Sequence, residues 1–386
     1  MKRTIPILSL WLILCLLAGS SWPQSTRKLA GRTVPGPLPP RSDAALPELD
    51  QTLDVIYGEV GGRQLKLDIA KPVVCQDQNV PLVIYVHGGG WRSGDKAGAF
   101  QRGDSKMFFQ LGFAVASINY RLAPQFRFPA QIQDCKLAVR FLRKNAESFG
   151  IDPERIGLWG SSAGGHLVSL MGTANENDGL EGPGLEGISS RVAAVVDHFG
   201  PTDLNVDPSQ TTDEGRSMVL DFLGCMPTDC PAIARLASPV TYVTPDDPPV
   251  LIIHGEKDSL VPFNQAVRFA EKLQQAGNAC ALIKVKNAEH GFLPSPLLAE
   301  LRPSLEGIYF LTVAHLARHL EPGLFGDLNM DGRRGLLDVK EMLRCFGSVG
   351  VGLDVAPAPD NWNPLSDLFP DGVIDTKDWI FLFRSR

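Results

Sequence analysis

Ile156-Gly-Leu-Trp-Gly-Ser-Ser162-Ala-Gly-Gly-His166 is the stretch whose reading decides the fold. A short apolar run (Ile156–Trp159) meets Gly160-Ser161-Ser162-Ala163-Gly164, and an apolar helical pattern follows. Small residues two positions either side of Ser162 permit a sharp strand-to-helix turn that lifts the serine hydroxyl clear of the sheet. The free N–H groups of the helix that starts there would favour negative charge developing beside that hydroxyl. A tight glycine turn carrying an idle serine is the alternative.

Outward from this turn, the chain from about Leu53 to Leu320 alternates strand-like and helix-like segments. Asp54–Val60 and Gln64–Ile69 read as a hairpin turning at Gly61-Gly62. Leu82–Val86, Phe113–Ile118, Ile156–Trp159, Val192–Val196, Val250–Ile253 and Ala281–Val285 are unbroken apolar runs, the signature of strands covered on both faces. Pro129–Ala146 places Ile132, Cys135, Val139 and Leu142 near one helical face. Asn264–Ala276 reads as a helix with Asn264 as its N-cap, and Leu301–Leu320 as a long amphipathic helix. The alternation predicts an α/β architecture: a mostly parallel sheet flanked by helices, with a hairpin at one edge.

A serine hydroxyl is a weak nucleophile until a base takes its proton. Asp258, in the loop after Val250–Ile253, is the expected orienting acid, with Glu256 and Asp197 as competitors. His290, in the polar loop after the strand Ala281–Lys286, is the expected base. His198 and His254 read as core-edge donors, His166 as part of the helix after the turn, and His315/His319 as a surface pair or a weak metal site. Leu82–Val86 runs into His87-Gly-Gly-Gly-Trp91. Its glycine N–H groups at Gly89 and Gly90, with that of Ala163, are the expected donors to an oxyanion.

These segments resemble the α/β-hydrolase fold, and within it the hormone-sensitive-lipase-like esterases and the bacterial carboxylesterases related to feruloyl and acetyl-xylan esterases. The resemblance spans roughly Leu53 to Leu320. It rests on His87–Trp91, Asn119-Tyr-Arg-Leu-Ala-Pro124, Phe128–Asp134, Gly160–His166, His254–Asp258 and His290-Gly-Phe292. Some relatives have Asp where this chain has Ser161. The resemblance implies a serine carboxylesterase with Ser162, Asp258 and His290 as its triad, needing no cofactor and acting on short-chain acyl or aryl esters, among them acylated plant or algal polysaccharides. A peptidase, amidase or arylformamidase on the same fold, and a non-catalytic adhesion or scaffold protein, are the competing readings.

The flanks are read separately. Lys2 and Arg3 precede an apolar run from Ile5 to Leu17 and then small residues, the order of a secretory signal peptide ending near residue 20. Cys15 as a lipoprotein site and an uncleaved membrane anchor are the alternatives. The expected locale is periplasmic or extracellular, with no integral span in the mature chain. Residues 21–47 are Pro-rich and read as a linker or arm, residues 48–321 as the catalytic domain, and 322–386 as a second module. Export would permit disulfides among Cys75, Cys135, Cys225, Cys230, Cys280 and Cys345. Cys225 and Cys230, flanking Met-Pro-Thr-Asp, are the best local pair.

In the tail, Asp327, Asn329, Asp331 and Asp338 fall at positions 1, 3, 5 and 12 of a calcium loop. Gly332 sits at the turn, and Arg333 offers its carbonyl at position 7. Asp367, Asp371, Asp375 and Asp378 repeat the pattern at positions 1, 5, 9 and 12, with Phe369 in place of a ligand at position 3. The repeat resembles type I dockerin-like modules, which implies bound calcium and a cohesin-like partner. Arg334 departs from that family's aliphatic pattern. The net charge of −6, with no basic block, argues against nucleic acid as a partner.

Overall fold

The computed structural model describes residues 26–29, 32–35, 46–75, 79–205 and 211–320. The expected leader at residues 1–20, Cys345 and every expected calcium ligand of the tail lie outside these residues. Within the Pro-rich arm, β1 (Thr26–Leu29) and β2 (Arg32–Pro35) pair antiparallel as a small sheet of their own, which composition alone does not predict.

The main sheet has eight strands: β3 (Leu49–Val60), β4 (Arg63–Pro72), β5 (Val80–Val86), β6 (Ala114–Ile118), β7 (Ile151–Ser161), β8 (Ala194–His198), β9 (Val250–Gly255) and β10 (Cys280–Val285). Their spatial order is β10-β9-β8-β7-β5-β6-β4-β3. The six strands from β10 to β6 are parallel; β4 and β3 run antiparallel and form the expected edge hairpin. Among the described residues seven longer helices connect the rest, α1 (Gly103–Gln110), α2 (Ala130–Lys144), α3 (Ala163–Thr173), α4 (Asp213–Leu223), α5 (Pro231–Leu236), α6 (Asn264–Gln275) and α7 (Leu305–Leu320), and a four-residue helix at Ala146–Phe149 follows α2. This is the α/β-hydrolase fold.

Alternate residues of the parallel strands feed opposite faces, because successive side chains point to opposite sides of a strand. Leu82, Ile84 and Val86 of β5 pack with Ile132, Cys135, Val139 and Leu142 of α2, with Leu167 and Leu170 of α3, and with Phe269 and Leu273 of α6. Val83 and Tyr85 pack with Met107, Phe108 and Phe109 of α1 and with Ile308, Val313 and Leu316 of α7. Both faces are therefore covered, which is why the strands read as apolar runs without alternation. Each fully buried Leu or Phe side chain contributes about 1.5–3 kcal/mol relative to exposure.

Some expected boundaries shift. Phe113 and Val192 lie just outside their strands, and α7 begins at Leu305 rather than Leu301. Asn264 is the first helical residue of α6, and Phe263 occupies the cap position without a side-chain bond. The Pro262 carbonyl accepts from the Gln265 N–H instead, so backbone does the work assigned to Asn264.

Candidate active site

The turn between β7 and α3 holds Ser162 at φ 57°, ψ −119°, a strained conformation for a residue with a side chain. Neighbouring backbone forces it. A Cβ at Gly164 would collide with the Val86 carbonyl oxygen, so the helix can start this close to β5 only with glycine there. The Ser162 N–H donates to the His198 carbonyl at 2.8 Å, and the Ser162 carbonyl accepts from the His166 N–H at 2.9 Å. The hydroxyl thus stands above a fully bonded backbone.

Ser162 Oγ lies 2.9 Å from His290 Nε2, and His290 Nδ1 lies 2.8 Å from Asp258 Oδ2. The three residues are far apart in sequence and meet at the C-terminal ends of β7, β9 and β10. The other Asp258 oxygen accepts from the N–H groups of Leu260 (3.0 Å) and Val261 (2.8 Å). Burial by itself would raise the Asp258 carboxyl. Hydrogen bonds from His254 and His290, with the charge of those rings, outweigh burial and hold it at about 2. An ionised carboxylate fixes the proton on His290 Nδ1 and leaves Nε2 free to face Ser162.

The loops bearing the acid and the base are stapled together. The Asn287 N–H donates to Glu256 Oε1 (2.8 Å) and the Lys257 N–H to the Ala288 carbonyl (2.9 Å). The N–H and hydroxyl of Ser259 both donate to Glu289 Oε2, each at 3.1 Å. Lys257 Nζ donates to the Ser295 carbonyl at 2.7 Å. Phe199 packs edge-on against the His290 ring with centroids 4.8 Å apart.

Glu256 is thus engaged in this staple, and Asp197 lies fully buried beneath the turn, so neither competitor reaches His290. Asp197 accepts from the Gly200 N–H (2.8 Å) and the Ser169 hydroxyl (2.9 Å). Burial pushes its carboxyl up to about 6 against those bonds.

Gly90 and Ala163 line a cavity together with Ser162; Gly89 lies outside that lining. The Gly89 carbonyl accepts from the N–H groups of Arg92 and Ser93. Among the described residues, no acceptor is seen for the N–H groups of Gly89, Gly90 or Ala163. Gly88, which the sequence reading left without a role, passes closest to the turn: a Cβ there would lie 3.3 Å from Ser162 Cβ.

The remaining histidines are structural. His166 receives the Trp91 Nε1–H on Nδ1 (3.1 Å) and donates from Nε2 to the Ala237 carbonyl (2.7 Å); burial lowers it to about 4, so it is neutral. His198 Nε2 donates to the Thr312 hydroxyl at 2.8 Å. His254 Nε2 donates to the Val261 carbonyl at 2.7 Å and stands 3.4 Å from Asp258 Oδ2. This fixes the turn behind the acid and makes His254 more than a core-edge donor; its spacing of four residues from Asp258 was the available signal. His315 and His319 stack edge-on, and His315 Nε2 bonds the Pro249 carbonyl at 3.3 Å. Among the described residues, no group of three or more His, Cys, Asp or Glu could hold a metal, so the weak metal reading of this pair falls for want of a third ligand.

Cys225 and Cys230 form a disulfide, while Cys75, Cys135 and Cys280 are free thiols. Part of the cavity wall is built by α4 and this disulfide loop, within the Asp203–Ala232 region where the sequence locates pocket walls without giving their shape. Its residues share no motif and converge only in three dimensions.

Comparison with known proteins follows the same lines. The BD-FAE family model matches residues 67–273. The chain is 32% identical to the probable carboxylic ester hydrolase LipM of Mycobacterium tuberculosis, over 77% of this chain and 69% of that protein. It is 34% identical to Esterase LipQ of the same organism, over 63% of this chain and 57% of that protein. The chain thus spans between 57% and 69% of the length of these two curated relatives. Among solved structures, a truncated carbohydrate esterase from gut microbiota superposes with a TM-score of 0.57 and 31% identity, covering 63% of this chain and 90% of that one. The chain belongs to the BD-FAE family.

Proposed function

We propose that this member of the BD-FAE family is an exported serine carboxylesterase that cleaves short-chain acyl or aryl esters through an acyl-enzyme. One observation carries the reading: Ser162 Oγ, His290 Nε2 and, through Nδ1, Asp258 Oδ2 form a continuous line of contacts of 2.9 and 2.8 Å at the mouth of a largely apolar cavity.

In the first half-reaction Ser162 Oγ attacks the ester carbonyl carbon while its proton passes to His290 Nε2. Negative charge collects on the carbonyl oxygen, where the N–H groups of Gly90 and Ala163, assisted by Gly89, receive it. Asp258 stays ionised and stabilises the imidazolium. The carbon–oxygen bond to the alcohol then breaks, and the alcohol leaves with the proton from His290. In the second half water gives a proton to His290 and attacks the acyl carbon. The bond to Ser162 Oγ breaks, the proton returns to Oγ, and the acid departs.

The likeness to a carbohydrate esterase supports acylated polysaccharides as the substrate class, and the Lys2-Arg3 leader supports export. For the tail we propose a calcium-binding module, on the spacing of its acidic residues; calcium titration of the full chain is the test. The esterase reading itself is tested with Ser162→Ala. Hydrolysis of p-nitrophenyl acetate should fall by at least about 1,000-fold, and labelling by a fluorophosphonate should vanish, with the circular dichroism spectrum unchanged. A variant that hydrolyses at the parent rate removes Ser162 from the scheme.

A further inference from the structure

The cavity beside Ser162 has a definite orientation relative to the reacting groups. A general acid must reach the oxygen of the departing alcohol, so the alcohol lies on the His290 side of the serine. The cavity is lined by Ser162, Gly90 and Ala163, and His290 is not among its lining residues. It therefore lies on the side left for the acyl group.

Part of its lining comes from one stretch of chain. Helix α4 contributes Met218 and Val219, and the loop after it contributes Met226 and Pro227. Both loop residues sit inside the six-residue ring closed by Cys225–Cys230. Within that ring the Met226 carbonyl accepts from the N–H groups of Asp229 (2.8 Å) and Cys230 (3.1 Å), so backbone bonds and a covalent link define the same small loop.

The wall is also tied to the glycine loop. Trp91, next to Gly90, stacks on Phe222 of α4 with centroids 4.3 Å apart and planes 12° apart. Both rings are buried. Arg92 bonds the Ser217 hydroxyl (3.2 Å) and Asp221 Oδ2 (3.1 Å) on the same helix. A Cβ at Gly90 would lie 2.5 Å from Met218 Sδ, so wall and oxyanion loop are in direct contact.

Resting on the esterase reading above, we infer that the Cys225–Cys230 ring is the specificity determinant of the acyl site, with the Met226 side chain setting the length of acyl group admitted. The ring holds Met226 in place at the cavity. A methionine held there fills space with a flexible thioether, so long acyl groups meet it while short ones do not. Opening the ring frees Met226 to withdraw, and truncating Met226 removes the obstacle directly.

The test is a series of p-nitrophenyl esters from acetate to decanoate, run on the full chain and on two variants, Met226→Ala and the double variant Cys225→Ala/Cys230→Ala. The readout is the ratio of kcat/KM for octanoate to that for acetate, which is independent of the fraction of active enzyme. Each extra methylene that finds room is worth about tenfold or more in such discrimination. Met226→Ala should raise the ratio about tenfold or more, and the double variant should raise it in the same direction. A ratio that stays within twofold of the parent, or falls, in either soluble variant overturns the inference. Met226→Ala decides alone if the double variant does not fold. Absence of hydrolysis of every ester by the parent chain instead defeats the esterase reading, a result distinct from an unchanged ratio.

Discussion

The rim of the sheet and the wall of the cavity solve different problems with different materials. Ser162, Asp258 and His290 sit just beyond β7, β9 and β10, of which β9 is buried throughout and β7 over Ile156–Gly160. The wall over residues 211–236 is loops and two helices, one of which, α4, buries few of its residues. A disulfide and aromatic stacking hold it. The difference teaches where precision is needed: proton transfer tolerates little misplacement, so its groups stand on the most rigid part of the fold, whereas admitting an acyl chain needs only a surface of the right depth.

Three substitutions probe that division, taken in order of expected effect. Asp258→Asn keeps the bonds to Leu260 and Val261 but lets the His290 tautomer invert. Its kcat should fall about 10,000-fold, while the acyl-length profile of the residual activity stays that of the parent. A shifted profile would merge the two regions. Phe222→Ala lies on the seam, since Phe222 touches Trp91, His166 and Phe128. Emptying this fully buried site should cost about 3–5 kcal/mol in denaturant unfolding and alter activity and acyl preference together. An effect on stability alone would show that the seam transmits nothing.

Asp197→Asn probes the base of the turn. Burial raises the folded-state pKa of Asp197 from its ordinary 3.8 to about 6, so the folded protein binds more protons than the unfolded chain between those values. Stability should therefore fall as pH rises from about 4 to about 6 and remain lower above. Asparagine should abolish that share of the slope, on the order of 2–3 kcal/mol, in urea melts across this range. Asp258, held at about 2, acts oppositely: its contribution is present above about 4 and is lost as pH falls toward 2. The two windows separate on an acid titration. A parent-like slope in Asp197→Asn would move the buried charge elsewhere.

The same contrast explains what could be read in advance. Strands buried on both faces announce themselves as apolar runs, and a sharp turn under Ser162 demands glycine at 160 and 164, so the sheet and the serine were legible. The acid and base followed because each stands in the loop after a strand. The region of the wall could be placed but its shape was not legible, because Met218, Val219 and Met226 have no periodicity that distinguishes a cavity lining from an ordinary core. The cap of α6 was misassigned because Asn264 is a good capping residue by type, while the chain entering from Pro262 and Phe263 already supplies a carbonyl. Cys225 and Cys230 were readable only as a candidate pair, since short separation permits a bridge without requiring one.

The staple between the Asp258 and His290 loops has one further consequence. At least five hydrogen bonds join Glu256, Lys257 and Ser259 to residues 287–295, whereas the imidazole reaches the serine through a single contact. Asp258 and His290 are therefore held to one another by many bonds and to the hydroxyl by one, so the 2.9 Å contact of Ser162 with His290 is the one that a shift of these paired loops would alter first.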